Sequence, residues 1–168
     1  MLVETERLVI TEMTADMAQD VHENSLDEDT RRFVPDEVFE TVEEAAETID
    51  FLSSQYGNYE GPQVYAVVTK TGSNVGYVQL VPIEDGMWEI GYHIGKKYTG
   101  NGYATEAVMA FLPVITSAAG VSEVYGICLA DNKASCRVMS KAGFTVIFEG
   151  DGEYQGQSAE IVKTVWKA

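Results

Sequence analysis

The chain has 168 residues, 45% of them apolar, with 27 acidic residues against 11 basic ones and a formal net charge of −16. That length supports one sizeable core, so a single domain over 1–168 is the expectation. No run of about 18 apolar residues is present to cross a bilayer, and the acidic start Met1-Leu2-Val3-Glu4-Thr5-Glu6 has no secretory leader pattern, so the reading is a cytoplasmic protein away from membranes.

Arg7 to Thr11 alternates as a first strand. Thr14 is placed to cap a helix from about Ala15 to Ser25, and Asp27 a shorter one ending before Pro35. Thr41-Val42-Glu43-Glu44 has capping-box spacing, and Val42, Ala45, Ala46, Ile49 and Leu52 keep helical period to about Tyr56. Three strands follow: Gln63 to Thr69, Val75 to Val81 and Met87 to Ile94, separated by Thr71-Gly72-Ser73-Asn74 and Glu84-Asp85-Gly86. A helix from about Tyr103 to Ala119 comes next, then a strand from Val121 to Leu129 and a helix from Asn132 to Lys141. Strands from Phe144 to Glu149 and from Ser158 to Trp166 flank a turn at Asp151 to Gly156. Early helices, a meander of strands and then β–α–β–α–β–β form an α+β pattern. Cys128 and Cys136 fall in a strand and a helix of the core and read as reduced thiols.

The segment Thr99-Gly100-Asn101-Gly102-Tyr103-Ala104-Thr105 carries the strongest chemical signal. A strand runs into a glycine-containing loop that opens directly into a helix. Unpaired N–H groups then meet the positive end of the helix dipole, a seat for a phosphate or diphosphate. Charge agrees with this placement. Residues 1–60 hold 17 acids against three bases, whereas 96–141 hold five bases (Lys96, Lys97, Lys133, Arg137, Lys141) against three acids. An anionic cofactor on one side and a cationic acceptor on the other fit that asymmetry, although solubility charge alone also accounts for the acids. No basic stripe exists for nucleic acid.

Two segments resemble the GNAT superfamily of acetyl-CoA-dependent N-acetyltransferases, and within it the ribosomal-protein-alanine N-acetyltransferase-like branch. One is Glu89-Ile90-Gly91-Tyr92 with Gly100 to Ala107; the other is Asn132-Lys133-Ala134-Ser135-Cys136-Arg137-Val138-Met139-Ser140-Lys141-Ala142-Gly143-Phe144. The resemblance implies a GNAT-like α+β fold: a mixed, mostly antiparallel central sheet of about six to seven strands flanked by helices. It implies acetyl-CoA as co-substrate, no metal, and transfer of the acetyl group to an amine, either a protein N-terminus or a small cationic amine. A homodimer is common in such proteins. The superfamily loop begins Gln/Arg-x-x-Gly-x-Gly/Ala, and here Thr99 takes the first position. Where many members carry a proton-donating tyrosine, this chain has Met139, and Ser135 is the substitute.

Resemblance and residue chemistry together assign the site. The amides of Gly100, Asn101, Gly102, Tyr103, Ala104 and Thr105 would hold the diphosphate. The backbone of Tyr92 and Ile94 would pair with the pantetheine arm as an added strand, with Asn132 bonding that arm. Alternation along the strand puts Glu89, Gly91 and His93 on one face, with Glu89 as proton acceptor and His93 as its possible relay. Ser135 would protonate the departing thiolate. Cys136 lacks a histidine at a recognisable spacing, so direct attack of the amine is the expected route. Structural alternatives are a plain strand–helix turn, an ordinary cap at Asn132 and a solvent-facing Glu89. The functional alternative is a module that senses acetyl-CoA without turning it over.

Overall fold

A computed structural model describes residues 2–168. Eight strands form one sheet in the order β1-β2-β3-β4-β5-β6-β8-β7. They are β1 (Val3–Glu4), β2 (Leu8–Glu12), β3 (Gln63–Thr69), β4 (Asn74–Pro82), β5 (Trp88–Ile94), β6 (Glu123–Leu129), β7 (Thr145–Tyr154) and β8 (Gln157–Lys167). Neighbours pair antiparallel except β5 and β6, which are parallel. The sheet is thus larger than the six to seven strands expected, the two-residue β1 being too short to leave a periodic signal.

Helices cover both faces. On one side α1 (Ala18–Ser25) and α3 (Val42–Ser53) bury Ala18, Val21, Ala45, Ile49 and Leu52 against Val64, Ala66 and Tyr77. On the other, α4 (Tyr103–Ala119) drives Val108, Phe111, Leu112 and Ile115 into a core with Leu8, Val67, Val78, Leu80 and Ile90. The shorter α5 (Lys133–Lys141) adds Met139 to that core. Between α1 and α3 lie α2 (Glu28–Phe33) and a single 3-10 turn, Pro35–Glu37. No helix among the described residues is long and apolar enough to cross a membrane.

Caps explain most boundaries. The Asp27 side chain accepts from the Thr30 N–H, and Thr41 accepts from the Glu44 N–H. The Glu44 carboxylate reaches back to the Glu40 N–H rather than to Thr41 itself. Thr14 makes no side-chain cap, and residues 15–17 form a 3-10 turn before α1. The final hairpin also departs from expectation. β7 continues through Asp151-Gly152 to Tyr154, and the turn is the pair Gln155-Gly156, both with left-handed φ (50° and 77°). That is the two-residue hairpin geometry matched to strand twist. Gly152 pairs with Ala159 in the strand, and glycine is needed there because Ile161 Cδ1 lies 2.4 Å from the position of a Cβ.

Candidate active site

Where β5 and β6 meet, the sheet opens. On its β4 side β5 is paired without interruption from Trp88 to Ile94, but its register with β6 is limited to Glu89 opposite Tyr125. The N–H of Gly95 donates to Val75 and the carbonyl of Met87 accepts from Ile83, so odd-numbered residues bond toward β4. Bonding alternates along a strand, and the main-chain groups of Tyr92 and Ile94 therefore face the gap. A cleft of about 690 Å³ occupies it, lined at one end by Thr99 and Ala104 and at the other by Asp36, Glu37 and Glu89.

The first end is built for an anion. Gly100 and Gly102 adopt left-handed φ (81° and 78°), a conformation that favours glycine, and they turn the chain into α4. From Gly100 to Thr105 the N–H groups find no protein acceptor among the described residues. The Asn101 side chain is used locally, donating to the carbonyl of Tyr98 at 2.9 Å. Unpaired amides in series at a helix start, beside an open strand edge, suit a diphosphate on an extended amide-bearing arm.

In the middle of the cleft, Asn132 caps α5, its Oδ1 accepting from the Ser135 N–H at 3.2 Å. The Ser135 hydroxyl lies 2.7 Å from the Tyr92 hydroxyl, which also contacts the Ser135 carbonyl at 3.1 Å. Burial pushes the Tyr92 phenol well above its ordinary pKa, so it keeps its proton. Met139 points away into the core, where its sulfur accepts from Thr164 at 3.2 Å over Gly126. Cys128 and Cys136 are unbonded thiols with sulfurs 3.4 Å apart, and burial pushes Cys128 up to about 12.

The far end is acidic. Burial, helped by the charge of Asp36, raises Glu89 to about 7. Glu37 also rises to about 7, chiefly by burial and then by Asp36, against the hydrogen bond from Gln79. Gln79 Nε2 donates to Glu37 Oε1 at 2.9 Å and the Tyr77 hydroxyl donates to Oε2. Gly91 permits this, since a Cβ there would sit 2.4 Å from Gln79 Nε2. The β7–β8 tip closes over the same end: Tyr154 donates to the Phe33 carbonyl at 2.7 Å and Gln155 to Asp36 at 3.0 Å.

Glu89, Gly91 and His93 do share one face of β5, opposite Tyr77, Gln79 and Val81. His93, however, is engaged elsewhere. Its Nε2 lies 2.7 Å from the Thr30 hydroxyl, which donates to Asp27 at 2.8 Å, and its ring stacks on Tyr77. Burial holds its pKa below the ordinary value, against the pull of Asp27. Sequence reasoning missed Glu37 and the side-chain contact of Tyr92 with Ser135. Tyr77 and Gln79, polar positions in an otherwise Val-rich strand, were the available signal for Glu37.

Residues 7–145 match the family model described as an acetyltransferase (GNAT) domain. The chain is 26% identical over 145 residues to the N-acetyltransferase YoaA of Bacillus subtilis, covering 85% of this chain and 82% of that one. Its fold is similar to a GNAT-family acetyltransferase from Bacillus anthracis, with a TM-score of 0.83 and 22% identity over 99% of this chain and 98% of that one. It is also similar to RimL, a ribosomal L7/L12 α-N-protein acetyltransferase solved with coenzyme A. There the TM-score is 0.82 at 16% identity, over 99% of this chain and 97% of that one.

Proposed function

The chain belongs to the GNAT acetyltransferase family and transfers acetyl groups from acetyl-CoA to amines, and from that premise we propose a direct-attack mechanism in which Glu89 takes the amine proton and Ser135, backed by Tyr92, protonates the leaving thiolate. One observation carries this reading: the open edge of β5 runs from Glu89 past the Tyr92–Ser135 contact toward the bare amides at 100–105.

Acetyl-CoA supplies the activated acyl group. Amides of Gly100, Asn101, Gly102, Tyr103, Ala104 and Thr105 hold its diphosphate, and the main chain of Tyr92 and Ile94 orients the pantetheine arm. Asn132 keeps its Nδ2 hydrogens for that arm while its Oδ1 caps α5. An N–H on the exposed edge of β5 polarises the thioester carbonyl. Glu89, raised to about 7, has a basicity suited to deprotonating an ammonium near neutral pH. The nitrogen then attacks the carbonyl carbon and the C–S bond breaks; the thiolate takes the Ser135 hydroxyl proton as Tyr92 passes its own to Ser135, and the second proton shed by the acetylated nitrogen leaves to solvent, which reprotonates Tyr92. His93 supports the site by fixing α2 through Thr30 and Asp27. The acceptor is a protein N-terminal amine or a small cationic amine, and the chain pairs as a homodimer.

Free-thiol release from acetyl-CoA with a panel of amines and N-terminal peptides tests the enzyme reading. Turnover by the native chain, lost in a Glu89→Gln/Ser135→Ala double variant that still binds acetyl-CoA, is the expected result. Binding without turnover of any acceptor by the native chain points instead to a sensor of acetyl-CoA. Sedimentation velocity reads the dimer.

A further inference from the structure

We infer that Glu37 is a second acceptor-side residue, which together with Glu89 receives the incoming amine as its ammonium before Glu89 takes the proton. This deepens the proposed function and rests on its placement of the acceptor beside Glu89.

Glu37 is a half-buried carboxylate that the acetyl-transfer chemistry above leaves unused. It ends the 3-10 turn Pro35–Glu37 and points at the strand face carrying Glu89. Both its oxygens are fixed from β4, one by the Tyr77 hydroxyl and the other by Gln79. A purely structural carboxylate taken this far out of water is ordinarily matched by a cation. Here the neighbours from every packed element are acidic or neutral: Asp36 on its own turn, Glu89 on β5, Tyr77 and Gln79 on β4, and Tyr154 from β7. The basic residues lining the cleft lie elsewhere, with Lys96 paired to Asp29 and Lys133 bonded to the Ala130 carbonyl. Two carboxylates without a counter-ion, the charge of Glu89 bearing on Glu37, favour a visitor that brings positive charge.

An ammonium bound there satisfies both. One N–H bond breaks as an O–H bond forms on Glu89, the nitrogen keeps the electron pair for attack, and Glu37 remains as the anion that steadies it. Acceptors are therefore selected as cations, and Glu37 sets their KM.

The test uses the full chain with two probe acceptors, alaninamide and 1,4-diaminobutane. Glu37→Gln keeps the shape and one acceptor oxygen. It should raise acceptor KM about 10- to 100-fold, the loss expected for one charge-assisted hydrogen bond. The acetyl-CoA Kd should stay unchanged by calorimetry, and kcat should change less than KM. An unchanged KM for a probe that the native chain acetylates overturns the inference, as does a weakened acetyl-CoA Kd. If neither probe is acetylated, carboxyl-carbon NMR decides: added 1,4-diaminobutane must lower the titration midpoint of Glu37 in the native chain, and an unmoved midpoint overturns the inference. A Glu89→Gln variant that retains turnover defeats the base assignment alone, because the KM comparison at Glu37 is independent of it.

Discussion

Arg7 on the link between β1 and β2 grips Glu106 in the first turn of α4, with Nε 2.7 Å from Oε2 and the backbone N–H 3.3 Å from Oε1. Thr5 adds a third bond to the same carboxylate at 2.6 Å, and Arg7 Nη1 reaches the Asn101 carbonyl at 2.8 Å. The β1–β2 link thereby staples the loop proposed to offer its amides to a diphosphate. Arg7→Met should weaken acetyl-CoA binding by about 3- to 30-fold, with acceptor KM little affected, because it loosens preorganised donors rather than removing one. Calorimetry on the purified variant reads this directly. Desolvation pushes Glu106 up, yet the bonds from Thr5 and Arg7 together outweigh it and hold the carboxyl below its ordinary value. A depressed folded pKa contributes stability above the unfolded value, and that contribution fades as pH falls through the folded one. The native chain should consequently lose more stability below pH 4.5 than Glu106→Gln does, measured by urea unfolding.

The Tyr92–Ser135 contact makes a second prediction. With Met139 buried and unable to donate, protonation of the thiolate falls to Ser135, so Ser135→Ala should lower kcat by about 10²-fold or more. Tyr92→Phe should cost less, about 10-fold, because Ser135 keeps its own hydroxyl and loses only its supply. Acetyl-CoA should still bind both variants, since the diphosphate seat is untouched. Equal rates for Ser135→Ala and the native chain would show that water protonates the thiolate.

The proposed direct-attack route gives cysteine no part. Burial keeps Cys128 a neutral thiol at physiological pH, and Cys136 faces it at 3.4 Å with no histidine beside the pair. Cys136→Ala should therefore acetylate amines at close to the native rate, and mass spectrometry of the native chain mixed with acetyl-CoA alone should find no acetylated cysteine. A stable acetyl adduct, chased by amine, would replace direct attack with a two-step transfer.

Much of this was readable before the fold. The bounds of β3 and α4 coincide with expectation because glycine, proline and polar turn residues mark their ends. Gly100 and Gly102 marked the turn into α4, and the Glu89/His93 parity held because β5 carries no bulge against β4. Local signals failed where partners are distant. Asp151-Gly152 has turn composition, yet it is held as strand by pairing with Glu160 and Ala159 across the hairpin. The contact of His93 with Thr30, from 63 positions away on α2, left no local trace. Glu37 takes its environment from Tyr77 and Gln79, about 40 positions later in the chain. No window of sequence contains that relationship.

The acid pair also predicts opposed effects of pH on activity and stability. Glu89 must be deprotonated to accept a proton, so kcat/KM should climb through about pH 7 and level off above it. Glu89→Gln should remove that rise and lower kcat by about 10²- to 10⁴-fold. Stability moves the other way. A carboxyl whose folded pKa lies above its unfolded 4.5 binds its proton more tightly in the native state. Its contribution is complete below pH 4.5 and is lost as pH rises through about 7. Glu37 has the same sign over the same window. At pH 8 the native chain thus carries two desolvated negative charges, and glutamine at either position should stabilise it by about 1–3 kcal/mol while reducing turnover. Thermal unfolding of native chain, Glu37→Gln and Glu89→Gln at pH 5 and pH 8 measures this. The variants should gain on the native chain only at the higher pH. A gain of the same size at both would assign the effect to packing, and a loss at pH 8 would mean that the carboxylates already have a cation beside them.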